Sequence, residues 1–585
     1  MVSQSRSALK QFVRRYEATI WLVLIIGVAA YLRFRGLTFQ SYWYDELFSA
    51  HISNPAHSFK TVVDLTLADV HPPVYQLMMW LSYQAYGYTE WAGRLPSAIV
   101  GVLAIPVIYL LGRDLFNTRT GLYAAALATP NYYLLYFAQE ARSYAFLYFL
   151  TSLSFLFFLR ALRSRSRLNL TLYIITTLTL LYTQYFGFII VMAQGVLVVA
   201  YVRVMGWPNR PLLTRATIAV GVIGIGIAPL IPVIVGHSAI DEFWIRQPGP
   251  WFLATYFPAY FQSAAVAAVI LILLCITMSR LFLQRQWSWE RYGILLLLIW
   301  VAAGYLLPWL RGFLSQPVLT DRNTIMLVPP ILVLAAYGIV LIPKLWIQRV
   351  IGVSLITYSF YILIFSLDYY ERIRKDQFRE TAQAMSAFEP LLPVYTLKFN
   401  DAKYNVYFTQ QGSSLVAKDA SELEFLLADH IAPPLFWLAD ALGYTLQTDI
   451  DERYGLIEVG RYRLKGTIAV LLINPAAATR LTLQPGEGMP GGQNMVYTSA
   501  SLPGHDADLQ LLVTVNEDDR PEFNGEIYIE LLASDGRIVR SHRVKPGPAP
   551  AMLMLDSSQE TVRARITLPA GASIPDAWLI PAGSG

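Results

Sequence analysis

Long apolar segments alternate with short basic loops over residues 1–370 of the chain. A run of about 20 apolar residues is long enough to cross the hydrocarbon core of a membrane as a helix, so the pattern predicts about 11 membrane spans. We predict a polytopic α-helical membrane protein on this basis. The predicted spans cover residues 18–31, 92–111, 121–137, 144–159, 168–181, 186–202, 216–235, 256–278, 292–310, 324–342 and 350–367.

The distribution of Lys and Arg predicts how these spans are oriented. Cytoplasmic loops of membrane proteins are enriched in both residues. If the N-terminus is cytoplasmic, the inside loops hold most of them, and the short outside loops hold only Arg142, Arg246, Arg311 and Arg322. This predicts a multi-pass protein of the plasma (inner) membrane with an extracytoplasmic C-terminal part. The first apolar segment lacks a small-residue cleavage site and is interpreted as a retained span.

The outer-face loop between the first two predicted spans, residues 32–91, is rich in ionisable and rigid residues. It contains the adjacent pair Asp45-Glu46 and, further on, Asp69-Val70-His71 followed by two prolines. The second proline, Pro73, opens an amphipathic pattern that predicts a helix on the membrane surface. A second surface helix is predicted over residues 45–52.

The pattern after residue 370 is typical of domains outside the membrane. Short apolar strands interleaved with helices predict a small α/β domain over residues 371–466, which a hairpin of strands 455–459 and 462–464 would complete. From residue 467 to 585 the alternation is strand-like, with Asp535-Gly536 as a hairpin signal. This predicts a jelly-roll-like β-sandwich.

Composition narrows the class of protein further. The 585 residues are 55% hydrophobic, which is too apolar for a soluble chain of this length. The net charge of +5 does not suggest a nucleic-acid partner. The single cysteine, Cys275, rules out an intramolecular disulfide and a cysteine-rich metal site.

Asp45 and Glu46 are the first candidates for chemistry. Transfer of a sugar between oxygens needs a base that takes the proton of the acceptor as the anomeric carbon is attacked. If the leaving group is a phosphate, cations or hydrogen bonds are sufficient to stabilise it and no general acid is required. The alternative interpretation is that Asp45 caps a surface helix and Glu46 lies on its first turn, where the helix dipole favours acidic residues.

The segment Asp69-Val70-His71-Pro72-Pro73 is the second candidate, because two prolines fix the backbone beside the histidine. His71 could bind phosphate, orient a carboxylate or ligate a metal. An equally good alternative is that Asp69 or His71 caps the following helix. A divalent metal is possible here, although the spacing matches no dedicated metal site.

Charged residues at the outer ends of later spans form a third group. Glu140 and Arg142 lie at a membrane boundary, where an isolated charge is unfavourable, so they should be paired or line a wet cavity. Arg322 follows Asp321 at the outer end of span ten. Four more residues follow span seven and could contact a substrate or be solvated charges: His237, Asp241, Glu242 and Arg246.

Several motifs at span ends occur together in this order. They are Asp45-Glu46 after the first span, Asp69-x-His71-Pro72-Pro73, Arg94-Leu95-Pro96-Ser97 at the second span, Tyr136-x-x-Gln139-Glu140-x-Arg142-x-Tyr144 between spans three and four, and Arg322 with Pro329-Pro330 near span ten. With these motifs, residues 1–370 resemble the GT-C membrane glycosyltransferases of the protein O-mannosyltransferase type, which are related to the aminoarabinose transferases that modify lipid A.

The resemblance implies an inverting glycosyltransferase that takes one sugar from a polyprenyl-phosphate donor on the outer face of the membrane. It places the catalytic base on Asp45, with Glu46 in support. It also makes Arg142 a candidate for binding the carrier phosphate, which a guanidinium binds well, and Arg322 a similar candidate. The alternative for Arg142 is an ion pair with Glu140 that merely ends a helix, and Arg322, beside Asp321, has a similar alternative. We assign His71 to the same donor side, with Asp69, Glu140 and His237 as supporting residues.

The acceptor is predicted only as a hydroxyl of a protein, lipid or glycan. The two domains after residue 370 resemble the outward sandwich modules of some bacterial arabinosyltransferases. Aromatic residues such as Trp578, Tyr497 or Tyr528 could bind glycan there, although most such residues belong to cores.

Two functions of other classes also fit the sequence. A transporter or flippase for an amphiphile would have many spans and a few buried charges, but it should also show charges near mid-span and matching features in two halves. Here the ionisable residues cluster at outer span ends, which favours the enzyme. A membrane-anchored glycan-binding protein would place function in the sandwich instead.

Overall fold

The computed structural model describes residues 2–164, 166–205, 210–237, 245–283, 286–397, 400–441, 453–481, 483–485, 495–499, 509–514, 527–533, 535, 537–544, 551–555, 563–568 and 576–581. By their internal contacts the residues form two compact units. The membrane unit comprises Met1–Phe39 and Ile52–Ile373, and the second unit comprises Gln40–His51 and Arg374–Gly585. The short segment that carries Asp45 and Glu46 therefore groups with the C-terminal third of the chain.

Helices account for nearly all of the regular structure in the membrane unit. In chain order the helices of the protein are α1 Val2–Phe34, α2 Tyr44–Ile52, α3 Phe59–Ala68, α4 Val74–Tyr86, α5 Glu90–Leu115, α6 Thr118–Ala128, α7 Tyr132–Ala138, α8 Tyr144–Arg163, α9 Arg167–Leu181, α10 Gly187–Met205, α11 Arg210–Ile227, α12 Ile231–His237, α13 Leu253–Ala259, α14 Ala264–Leu283, α15 Trp289–Leu314, α16 Val328–Val340, α17 Leu345–Tyr361, α18 Phe378–Ser386, α19 Asp401–Gln411 and α20 Ala420–Ala428.

The prediction of a multi-pass membrane protein is confirmed. Among the described residues, 8 helices are long and apolar enough to cross a membrane, and two shorter apolar helices, Arg167–Leu181 and Gly187–Val202, accompany them. The predicted number of about 11 spans stays a prediction, since some apolar helices are shorter than the roughly 20 residues that a perpendicular crossing requires. The eight segments are Tyr16–Phe34, Glu90–Leu115, Tyr144–Arg163, Thr214–Gly236, Ala264–Leu283, Trp289–Leu314, Arg322–Val340 and Leu345–Ser366.

Two predicted spans are interrupted in the structure. The segment 121–137 is divided into α6 and α7, because Pro130 cannot continue a helix and the Asn131 side chain accepts a hydrogen bond from the Leu134 backbone N–H to begin a new one. The segment 216–235 passes from α11 through a 3₁₀ turn, Ala228–Leu230, into α12.

The helices predicted for the outer-face loop are present. Residues 45–52 form α2 and the pattern after Pro73 forms α4. A third helix, α3, was not predicted; Ser58 caps its N-terminus by accepting a hydrogen bond from the Thr61 N–H.

The second unit contains strands β1 Val394–Thr396, β2 Ala417–Asp419, β3 Leu435–Ala441, β4 Ile457–Leu464, β5 Thr467–Ile473, β6 Thr479–Leu481, β7 Leu483–Pro485, β8 Met495–Ser499, β9 Leu509–Thr514, β10 Ile527–Leu532, β11 Ile538–Val544, β12 Ala551–Leu555, β13 Arg563–Leu568 and β14 Asp576–Pro581. The first five form one sheet in the order β2-β1-β3-β5-β4. In this sheet β1 is parallel to β2 and β3, whereas β5 is antiparallel to β3 and β4.

The α/β sheet corrects two predictions. The predicted hairpin within residues 455–464 is wrong, because β4 runs through this region with a register shift between Glu458 and Gly460. The turn lies instead at Lys465-Gly466, where Gly466 adopts a φ of +70° that other residues rarely tolerate. As a result β5, predicted as the start of the sandwich, is a buried central strand of the α/β sheet, and the predicted boundary at 466/467 moves to the end of that strand.

The remaining strands form two antiparallel sheets, with orders β11-β10-β13-β8-β7 and β12-β9-β14-β6. The chain passes between the sheets, from β8 to β9, from β9 to β10 and from β13 to β14, as in a β-sandwich. The predicted hairpin around Asp535 is present, since β10 and β11 pair antiparallel. The predicted fold class is thus confirmed.

Candidate active site

The first turn of α2 carries both acidic residues of the predicted catalytic pair, but their surroundings differ. Glu46 has no exposed surface, whereas Asp45 is half-buried. The Trp43 backbone N–H donates to Oε2 of Glu46 at 3.3 Å, and the Leu47 N–H donates to the carbonyl of Trp43. Glu46 therefore reaches back to the residue before the helix, as the glutamate of a capping box does. The structure thus gives Glu46 a capping role, which the alternative interpretation assigned to Asp45.

Glu46 also forms an ion pair that the sequence did not reveal. Lys375 Nζ donates to Glu46 Oε2 at 2.8 Å, and the two side chains are 5% and 0% exposed. Asp376, the next residue, lies within electrostatic range of Asp45. Burial raises the pKa of the Asp376 carboxyl; the charge of Lys465 opposes this rise and the charge of Asp45 adds to it.

A chain of hydrogen bonds in the membrane unit joins three of the predicted donor-side residues. His71 Nδ1 lies 2.5 Å from Asp69 Oδ2, and Arg142 Nη2 lies 3.1 Å from His71 Nε2. A guanidinium can only donate, so Nε2 of His71 accepts and its Nδ1 carries the proton that is donated to Asp69. The carboxylate thereby fixes the tautomer of the imidazole, and the imidazole orients the guanidinium.

The electrostatics of Asp69 agree with this arrangement. Burial alone would raise the pKa of its carboxyl, but the hydrogen bond and electrostatic interaction with His71, together with the Val70 N–H and Arg142, hold the pKa below its ordinary value. Asp69 follows the end of α3, and α4 has Pro73 before it with no side-chain cap. The alternative interpretation of Asp69 or His71 as the cap of the following helix is therefore wrong.

Arg142 is fixed by neighbouring motifs as well as by His71. The hydroxyl of Ser97, from the Arg94-Leu95-Pro96-Ser97 motif, donates to the Arg142 carbonyl at 3.2 Å.

Gln139, three residues before Arg142, supports the C-terminal end of α1. Its side-chain amide donates to the carbonyls of Leu32, Arg33 and Arg35. In the sequence Gln139 is only one position of a motif, whereas the structure gives it this structural role.

Glu140 and Arg322, which are distant in sequence, lie within electrostatic range of the same hydroxyl group. Glu140 is 1% exposed and precedes α8, and Arg322 opens a 3₁₀ helix, Arg322–Leu327, that packs against α8. The buried hydroxyl of Tyr133 lies within electrostatic range of Glu140, Asp321 and Arg322. Asp321 accepts a hydrogen bond from the Arg322 N–H at 2.9 Å, which caps this turn.

The other predicted residues are placed as follows. His237 ends α12, and its side chain and residues Asp241 and Glu242 lie outside the described residues. Arg246 is exposed. In the part of the chain that the structure describes, no group of three or more His, Cys, Asp or Glu side chains could hold a metal ion.

The aromatic candidates of the sandwich separate into core and surface. Trp578 is 3% exposed and belongs to the core, with Arg480 stacked 5.8 Å from its ring centroid. Tyr528 is exposed and lies beneath Arg543, and the side chain of Tyr497 lies outside the described residues. Of the three, only Tyr528 is shown to be accessible to a glycan.

Comparison with known proteins gives one family match and several structural matches. Residues 70–235 match the family model described as dolichyl-phosphate-mannose-protein mannosyltransferase. This segment contains His71, Glu140 and Arg142. No curated protein matches the chain in sequence.

The structural matches cover most of the chain at low sequence identity. The structure of ArnT from Cupriavidus metallidurans in the apo state is 15% identical and has a TM-score of 0.56, covering 78% of this chain and 98% of that one. The same protein bound to undecaprenyl phosphate has a TM-score of 0.55 at 15% identity, covering 77% and 98%.

An archaeal protein covers even more of the chain. The Archaeoglobus fulgidus oligosaccharyltransferase tethered to an acceptor peptide is 11% identical and has a TM-score of 0.51, covering 98% of this chain and 96% of that one. The predicted resemblance is thereby confirmed: the chain has the GT-C fold of membrane glycosyltransferases, and the segment that holds His71 and Arg142 matches a glycosyltransferase family.

Proposed function

We propose that this glycosyltransferase is inverting and moves one sugar from a polyprenyl-phosphate donor to a hydroxyl acceptor on the outer face of the membrane. The observation that carries the proposal is the Asp69–His71–Arg142 chain, because it presents an oriented guanidinium beside a neutral imidazole. The oriented guanidinium suits a phosphate, which it can bind through two parallel hydrogen bonds. The undecaprenyl phosphate bound by ArnT supports a lipid phosphate as the carrier.

In this proposal Asp45 is the general base. Its carboxylate takes the proton of the acceptor hydroxyl as the hydroxyl oxygen attacks the anomeric carbon of the sugar. The bond from that carbon to the phosphate oxygen breaks, the electron pair stays on the phosphate, and the configuration at carbon inverts. Arg142 stabilises the charge that develops on the leaving phosphate, so no general acid is needed.

The membrane unit supplies further groups for the donor. Arg322 and Glu140 act near Tyr133, and Arg322 offers a second cation for a phosphate or for the sugar. We propose Glu140 and Asp69 as supporting residues on the donor side.

The class of acceptor, a hydroxyl of a protein, a lipid or a glycan, can be identified by mass spectrometry. The experiment compares envelope lipids, glycans and glycoproteins with and without this protein.

The direct test uses the purified full chain in proteoliposomes with a panel of hexosyl and pentosyl phosphoundecaprenols and envelope acceptor fractions. We expect release of undecaprenyl phosphate together with transfer of the sugar. Asp45→Asn should reduce turnover by about 10²–10⁴-fold, the usual effect of removing a general base, while undecaprenyl phosphate still binds.

Three outcomes of this test would count against the proposal. Near-normal turnover by Asp45→Asn would remove Asp45 as the base. Movement of the lipid across the membrane without sugar transfer would favour a flippase. Binding of glycan by the sandwich, without turnover of any donor, would favour a glycan-binding protein.

A further inference from the structure

The two acidic residues of α2 point to different tasks. Asp45 is half-buried and can exchange protons with an acceptor, whereas Glu46 is fully buried and cannot reach one. A buried carboxylate is strongly unfavourable unless it is paired. Lys375 supplies the partner, and its own side chain is 5% exposed.

The segment that carries Lys375 is held to the residues before α2 by several hydrogen bonds. The Gln40 side-chain oxygen accepts from the backbone N–H groups of Arg374 and Lys375 at 2.9 and 3.2 Å. The Ser41 hydroxyl donates to the carbonyl of Asp376 at 2.6 Å. The entry to α2 and residues 374–376 therefore form one connected structure.

The α/β domain extends this structure on both sides of the helix entry. The Tyr42 N–H donates to the hydroxyl of Tyr407 on α19 at 2.5 Å, and the Lys403 ammonium lies 3.8 Å from the ring centroid of Tyr44. The Gln377 N–H donates to the carbonyl of Lys465, in the turn between β4 and β5. The first turn of α2 is thus supported by α19, by the residues before α18 and, through them, by the sheet.

We propose that Lys375 is a positioning residue: its buried ion pair with Glu46 fixes the first turn of α2 and so sets the position of the Asp45 carboxylate. The pair makes no contact with substrate in this proposal. It connects the catalytic base to a lysine that lies beyond the membrane-embedded segment. The inference rests on the proposed function of Asp45.

The test compares four variants of the full chain in proteoliposomes. Lys375→Met removes one partner and leaves Glu46 buried without its charge. The double variant Glu46→Gln/Lys375→Met removes both charges, so no unpaired charge stays buried. Lys375→Arg keeps the charge. Lys418→Met, which breaks the half-exposed pair of Lys418 with Glu422 in the same unit, is the matched control.

We expect Lys375→Met and the double variant to lose about 100-fold in kcat, because a displacement of about 1 Å in a catalytic group can have this effect. Binding of undecaprenyl phosphate should stay at the wild-type level in both. The double variant should regain the melting temperature that Lys375→Met loses, without regaining kcat. Lys375→Arg should retain most of the activity, and Lys418→Met should match the wild type.

The proposal is overturned if kcat returns together with the melting temperature in the double variant, since the pair would then serve stability alone. Normal kcat in Lys375→Met would also overturn it. If Lys375→Met does not fold, the double variant decides the question.

Amide hydrogen exchange provides a readout that does not depend on activity. Protection of residues 44–52 should fall in the double variant and stay unchanged in Lys418→Met. Unchanged protection in the double variant would refute the positioning role. Absence of turnover in the wild type would refute the proposed function instead, and the exchange result would still decide whether the pair fixes α2.

Discussion

Two ionic clusters of the protein, Asp69–His71–Arg142 and Glu46–Lys375, are built in opposite ways. The first joins Asp69 and His71, which are two residues apart and have side chains that are 31% and 21% exposed. The second joins residues separated by 329 positions, with side chains that are 0% and 5% exposed. An accessible cluster can exchange its solvent for a ligand, whereas a buried pair can only hold its surroundings in place.

The same contrast separates the role of Glu46 from that of Arg142. Glu46 has its oxygen bound by an ammonium and by a backbone N–H, so its carboxylate is committed to the fold. Arg142 is buried as well, but the next member of its chain, His71, is partly open to solvent. The comparison predicts that changes at Arg142 affect ligand binding first, and that changes at Lys375 affect turnover first.

Replacing Arg142 should have the largest effect on the binding of undecaprenyl phosphate. Arg142→Gln removes the guanidinium that the proposal assigns to the carrier phosphate, and losing one partner of such a charged contact costs about 2 kcal/mol or more. The dissociation constant for undecaprenyl phosphate should therefore rise by roughly 30-fold or more, as measured by titration of the reconstituted protein. Arg142→Lys should recover only part of this loss, because an ammonium lacks the planar fork.

Arg167→Gln is the matched control for Arg142, because Arg167 is exposed at the start of α9. Its dissociation constant should equal that of the wild type. If Arg142→Gln bound the lipid phosphate normally and instead unfolded at a lower temperature, the Asp69–His71–Arg142 chain would be structural, and the two clusters would no longer differ in kind.

Asp69→Asn should have a smaller effect of the same type. The asparagine can still accept a hydrogen bond, but it no longer stabilises the orientation of His71 by charge, which corresponds to about 1.4 kcal/mol, or roughly tenfold weaker binding of undecaprenyl phosphate. Asp45→Asn, in the other unit, should leave this binding unchanged. A tenfold loss in turnover with unchanged lipid binding would instead assign Asp69 to the chemical step.

The lowered pKa of Asp69 also predicts how its contribution to the stability of the protein depends on pH. An acid whose folded-state pKa is depressed contributes stability above its ordinary pKa and loses that contribution as the pH falls through the depressed value. For a carboxyl this loss begins below about pH 4. The difference in melting temperature between Asp69→Asn and the wild type should therefore be present at pH 5 and should decrease as the pH is lowered from about 4 to about 3.

Asp69 and His71 of the accessible cluster could be predicted from the sequence because their signals are local. Asp69 and His71 are separated by one residue and followed by prolines, and a helix was predicted directly after them. The surface helices α2 and α4 were predicted for the same reason, since their patterns extend over fewer than four turns. The contact of His71 with Arg142 was not predicted in detail, because it joins two loops through the packing of α5 and α8.

The buried pair could not be found in this way. Lys375 lies in a run of charged residues, 368–376, that has the composition of a linker, and nothing in its neighbourhood distinguishes it from Arg372 or Arg374. The segments that carry Lys375 and Glu46 are held by the turn between β4 and β5 and by α19, which are formed by residues further along the chain. The same non-local pairing explains the error at β5, whose apolar run fits any buried strand until its neighbours β3 and β4 are known.

Replacing Asp376, which lies within electrostatic range of Asp45, should have the smallest effect of these substitutions. Burial raises the pKa of the Asp376 carboxyl, with Lys465 opposing and Asp45 adding to the rise. An acid with a raised folded-state pKa favours folding below its ordinary pKa and loses that contribution as the pH rises through the raised value. At pH 7 the charged form is therefore unfavourable, and Asp376→Asn should raise the melting temperature by roughly 2 °C.

The stabilisation by Asp376→Asn should become smaller as the pH is lowered toward about 4, because a raised pKa favours the protonated carboxyl in the folded state. Glu424→Gln, on α20 of the same unit, controls for the removal of one negative charge. A melting temperature that falls at pH 7 in Asp376→Asn would mean that the charged carboxylate makes a favourable contact. In that case Asp376 would belong with Glu46 as a residue that holds α2, and the buried cluster would contain two carboxylates instead of one.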